Sequence, residues 1–120
     1  MASLFMTAHE LFHEVPSGDS FGFTLAESTE LALQKLEEAR GGDEYTTKFP
    51  ALLGSDSLYE SIRKNGVIEP VVLAHKGFVI ERMPEHHKGK AFIYNGNHRV
   101  VAAYHIDPSM LIEVYYLPLV

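Results

Sequence analysis

The chain contains no cysteine. That excludes disulfide scaffolds, thiolate zinc centres and cysteine nucleophiles, and it suits a reducing cytoplasm. Cations are also scarce: 10 Lys and Arg stand against 16 Asp and Glu, a formal net charge of −6. Broad nonspecific binding to nucleic acid depends on neutralising phosphates with such cations, so it is not expected. A local basic pocket remains compatible with this balance. No apolar run is long enough to span a bilayer, and the N-terminus lacks a charged region followed by an apolar stretch. The chain therefore reads as soluble and cytoplasmic, with no membrane partner. It has no internal repeat and no low-complexity tract.

What is present is globular material. The 120 residues are 46% hydrophobic, enough for one domain with a core. Thr7 to Val15 places Ala8, Leu11, Phe12 and Val15 near one helical face, and Pro16-Ser17-Gly18-Asp19 breaks it. Thr24 and Glu27 have capping-box spacing ahead of a longer helix. Its stripe is Leu25, Ala32, Leu36 and Ala39 with Leu33 beside it, and Gly41-Gly42 is its stop. Lys35, Glu37 and Glu38 are expected in water. Asp43 to Gly54 reads as a loop or linker. Ser57 and Glu60 start a third helix, Leu58 to Lys64, which Asn65-Gly66 ends.

From there the pattern changes to strands. Val71 to Ala74, a turn at Lys76-Gly77 and Phe78 to Glu81 read as a hairpin. Pro84 to Lys90 is a polar loop in which His86-His87 is expected to be solvated. Ala91 to Tyr94 is a further strand. Asn97 to His105 is a fourth helix closed by Asp107-Pro108, and Ile112 to Leu117 is the last strand. The fold class expected is α+β, a small mixed sheet flanked by helices.

Two motifs carry chemistry. In Tyr94-Asn95-Gly96-Asn97-His98-Arg99, a strand meets a glycine and then a helix of small residues. Glycine allows close approach to the backbone. The first N–H groups of a helix lack internal acceptors, and together with the helix dipole they attract anions. Arg99 can add a bidentate contact to phosphate, and His98 a hydrogen bond. The same pattern also fits a plain strand-to-helix turn with Arg99 in a structural ion pair. The second motif, His9-Glu10-Leu11-Phe12-His13, matches H-E-x-x-H, whose two histidines bind zinc while the glutamate activates water. It lacks a preceding strand and an evident third ligand, so an amphipathic helix with exposed histidines is expected and no metal is assigned.

The stretch Ser57 to Leu73, a short helix, a glycine, an apolar pair and then Glu69-Pro70 before a strand, resembles the first conserved box of the ParB N-terminal family. Gly96 to Ala103 resembles the second box, and Gly96-Asn97-His98-Arg99 is similar to the Gly-Cys-His-Arg turn of sulfiredoxins. The resemblance covers roughly residues 55 to 117. It implies a ParB/sulfiredoxin-like domain at 51–120, after a helical N-terminal extension at 1–50 that lies outside the resemblance, and a nucleotide or other phosphorylated ligand, with Mg, held by Asn95, Gly96, Asn97, His98 and Arg99. By analogy with small kinases of that fold, Glu69 is the candidate catalytic base, and hydrolysis of the ligand is compatible with it. Asn97 stands where sulfiredoxins carry their cysteine, so sulfinic-acid repair is excluded. The helix-turn-helix region of partition proteins has no counterpart, so partition is not expected. The alternative is a non-catalytic regulatory protein of phage or plasmid type, which would bind a host protein through the acidic N-terminal third.

Overall fold

The computed structural model describes residues 4–42, 57–74, 84–87 and 89–117. In chain order these form β1 (Leu4–Thr7), α1 (Ala8–His13), α2 (Thr29–Glu37), α3 (Leu58–Asn65), β2 (Val71–Ala74), β3 (Phe92–Asn95), α4 (Asn97–Ile106) and β4 (Leu111–Tyr116). The strands make one mixed sheet in the order β1-β4-β2-β3. Strand β4 pairs antiparallel with β1 and parallel with β2, and β2 pairs antiparallel with β3. The chain is thus α+β, a four-stranded mixed sheet with helices.

The sheet buries one set of alternating side chains. Val71 and Leu73 of β2 share the core with Ile112 and Val114 of β4, while Leu111 and Tyr115 are exposed. This is the period-2 pattern of a half-buried strand. Helix α4 is the central helical element. Val100, Val101, Ala102 and Ala103 are all buried, and α1, α2 and α3 each pack against it. Small residues on successive positions let neighbours close in on several sides. That is why α4 is buried on several sides at these positions rather than along one stripe.

The segment expected to be a helical extension opens with β1, the strand paired with β4, and Ala8, Leu11 and Leu25 share the core with α4 and the sheet. Helix α1 is shorter than the expected Thr7 to Val15: Thr7 is its N-cap and Glu14 its C-cap. The Thr7 hydroxyl accepts the Glu10 N–H at 3.1 Å, and the Glu10 carboxylate accepts the Thr7 N–H at 3.1 Å. Thr7→Ala removes this capping box and is expected to cost about 1 kcal/mol, read as a lower urea midpoint with an unchanged slope.

The Thr24–Glu27 box also forms, at 2.8 and 3.2 Å, but it closes a turn, and α2 begins later, at Thr29. Lys35 is not in water. Its side chain is buried, and its ammonium donates to Asp19 at 2.7 Å. Glu38 is half-buried and engaged, whereas Glu37 is exposed as expected. After Glu38 the chain makes a wider turn that ends on Gly41, at φ 102°. Helix α3 is capped by Ser57, whose hydroxyl accepts the Glu60 N–H at 3.2 Å. Glu60 does not close a box there, because its carboxylate takes Arg63 at 2.7 Å instead. Arg63 in turn holds the Glu60 carboxyl below its ordinary pKa.

β2, α4 and β4 match their expected positions to within a residue or so, and β3 runs one residue later than the expected Ala91 to Tyr94. The Lys76-Gly77 turn, the second hairpin arm Phe78 to Glu81 and the linker expected at Asp43 to Gly54 lie outside the described residues. Among the described residues, no helix is long and apolar enough to cross a membrane.

Candidate functional site

Strand β3 ends at Asn95, and the chain enters α4 through Gly96 at φ 108°, ψ 16°. This is a conformation that a residue with a Cβ resists. The glycine is also packed. A Cβ here would lie 3.0 Å from Val71 Cγ2, 3.0 Å from Arg99 Nη1 and 3.3 Å from the Val71 Cα. Gly96 therefore lets the start of α4 rest directly on the start of β2.

The next three side chains each reach a different segment. Asn97 Oδ1 accepts the Ser17 hydroxyl at 2.6 Å, which ties α4 to the loop after α1. His98 Nε2 lies 2.7 Å from Glu38 Oε1, and since a carboxylate only accepts, the imidazole donates to the end of α2. Arg99 Nη1 donates to the Pro70 carbonyl at 2.9 Å and Nη2 to Glu69 at 3.1 Å, which ties α4 to the approach to β2. Asn97, His98 and Arg99 are only 3%, 9% and 6% exposed. The first turn of α4 is thus a polar hub inside the fold.

The residues singled out in the sequence do converge. Glu69-Pro70 and Gly96 to Arg99 come from the two separate motif segments and meet through Arg99. Asn95 and Glu69 are exposed, whereas Gly96, Asn97, His98 and Arg99 are buried. Ser17, Glu38 and the Pro70 carbonyl complete the set. Sequence context does not mark Ser17 or Glu38 for this site, because nothing local tells which distant polar group a buried side chain will meet. Two carboxylates, Glu38 and Glu69, thus approach the turn where an external anion would be expected to bind. The N–H groups of Asn97 and Arg99 precede the first intrahelical bond, Val100 N–H to Gly96 O at 3.0 Å, and have no acceptor among the described residues. One oxygen of Glu69, Oε2, accepts from the guanidinium.

The H-E-x-x-H residues are deployed differently. Glu10 is held by the Thr7 cap. His13 Nε2 lies 2.7 Å from the Tyr104 hydroxyl, and the His9 ring lies against His13 at 4.5 Å between centroids. Among the described residues no three His, Asp or Glu side chains are grouped to hold a metal ion. His87 is buried rather than solvated, with Nε2 2.8 Å from Glu27. Tyr104 stacks on Phe12 at 4.0 Å, and His105 Nδ1 lies 2.9 Å from the Tyr59 hydroxyl, so both pack at helix contacts. Comparison with family models, with curated proteins and with solved structures found no match.

Proposed function

We propose that the chain is a binding module for phosphorylated small molecules of the nucleotide class. The first turn of α4 is its anion site, and Glu69 is the group that an incoming phosphate displaces. The observation that carries this reading is the Arg99–Glu69 pair at 3.1 Å, in which the guanidinium is buried and the carboxylate side chain is 56% exposed. Returning so exposed a carboxylate to water costs little. A phosphate brings more charge and more acceptor oxygens to the same guanidinium. The Pro70 carbonyl keeps Arg99 in place during the exchange, and the N–H groups of Asn97 and Arg99 supply donors for the remaining oxygens. The reading ascribes binding to the turn and assigns no turnover, since Glu69 serves as the displaced group.

Calorimetry with nucleoside mono-, di- and triphosphates, each with and without Mg, tests it. The di- and triphosphates are expected to bind the wild type. Glu69→Gln keeps the shape, removes the competing charge and should tighten binding about three- to tenfold, up to roughly 1.4 kcal/mol. Silence from both proteins across the whole panel would leave the turn as a structural hub. It would favour the regulatory reading, in which the protein acts through its surface.

A further inference from the structure

We propose that the groove between α1, α2 and α4 is a docking site for an amphipathic helix of a partner protein, one with an apolar stripe flanked by lysine or arginine. The groove encloses about 410 Å³, and its floor and walls include Phe12, Leu25, Leu36, Val101 and Tyr104. Its α2 side presents Thr29, Ala32, Leu33 and Leu36, at the i, i+3, i+4, i+7 spacing by which one helix lies along another. Leu33 is 61% exposed at the lip. A helix laid along the groove covers floor and lip together.

Charge selects the flank of the partner. Glu30 and Glu37 stand three residues before and four after Leu33, so they share its side of α2. Both are exposed, and neither forms an ion pair among the described residues. Two uncompensated carboxylates beside an exposed apolar lip favour a cationic neighbour, which raises specificity and association rate more than raw affinity. The same acidic border, on a chain of net charge −6, disfavours an anionic membrane surface. The far lip carries Tyr104 and His105, so among the described residues that line it no fixed positive charge opposes a basic helix. The groove is separate from the Gly96 turn, and this inference does not rest on phosphate binding.

The test is fluorescence anisotropy on the full chain with two labelled amphipathic peptides of about 18 residues, five helical turns. One is built from Leu and Lys, the other from Leu and Glu. The Leu/Lys peptide is expected to bind saturably and at least tenfold more tightly than the Leu/Glu peptide. Leu33→Asp, at an exposed position, should weaken it tenfold or more with an unchanged circular dichroism spectrum and melting temperature. The Glu30→Lys, Glu37→Lys double variant should reverse the preference between the peptides. No saturable binding of the Leu/Lys peptide, unchanged binding by Leu33→Asp, or an unchanged preference in the double variant would each overturn the proposal. Leu33-dependent binding to phosphatidylglycerol vesicles would overturn it in favour of a membrane.

Discussion

Arg99→Ala is expected to lower the melting temperature and abolish phosphate binding in the same protein. The arginine makes two bonds, to the Pro70 carbonyl and to the Glu69 carboxylate. Its removal leaves that carbonyl without its donor and empties a buried volume beside Gly96 and Val71. The Glu69 contribution is the smaller, because that carboxylate is more than half exposed and returns to water. The lost charge-assisted contacts are worth about 1.5–3 kcal/mol, on the order of 10 °C in melting temperature for a domain of this size. Arg99→Lys is the informative companion. It restores the charge but not the planar fork that spans Glu69 and Pro70, so it should recover part of the phosphate affinity and little of the stability. An Arg99→Ala protein that melts like the wild type would show that the hub contributes nothing to the fold. One that still binds triphosphate as the wild type does would remove Arg99 from the site.

The parts of the fold that were legible in the sequence are those in which a local signal and the tertiary outcome agree. α4 is announced by a glycine before it, small apolar residues within it and Asp107-Pro108 after it. At its end the Ser109 hydroxyl and N–H bond to the Asp107 carboxyl and lower its pKa. β2 and β4 are short runs rich in β-branched and aromatic residues, which favour strands at that length. β1 gave no such signal. Leu4 to Thr7 is four residues long, and it becomes a strand because β4 lies beside it. That pairing is non-local and leaves no local periodicity to read.

Capping pairs were a partial guide, because a Thr-x-x-Glu box satisfies a turn as readily as a helix start. Thr24–Glu27 closes a turn, and the Glu60 carboxylate prefers Arg63 to its cap. Charged residues misled in one consistent way. Lys35, Glu38 and His87 look like solvated surface in the sequence, yet each meets an opposite or complementary group from a distant segment: Asp19, His98 and Glu27. Polar residues can be buried when they are paired, and the pairing partner is a tertiary fact. The candidate site divides along the same line. Which residues would gather at the turn was visible from the motif order. That Glu38 would reach His98 there, and that Glu69 would be the group bonded to Arg99, was not.

Gly96→Val is expected to be the most damaging single change at the turn, and its damage should separate into two measurable parts. The first is conformational: at φ 108° an L side chain meets the following carbonyl, at a cost of about 1–2 kcal/mol. The second is steric. The new Cβ meets Val71 Cγ2 at 3.0 Å and the Val71 Cα at 3.3 Å. The Cα belongs to the backbone of a central strand and cannot rotate away. Overpacking of this kind typically costs about 1–3 kcal/mol. Together the two would remove on the order of 2–5 kcal/mol from a total stability of about 5–15 kcal/mol. Gly89 supplies the control, since it also has positive φ, at 84°, but a Cβ there meets nothing within 4 Å. Gly89→Ala should show the conformational part alone, Gly96→Ala both parts, and Gly96→Val a further loss from its branched methyls. Chemical denaturation of the three variants gives the comparison directly. If Gly96→Ala costs no more than Gly89→Ala, α4 does not rest on Val71 through its glycine, and the close approach of helix and strand that defines the turn is wrong.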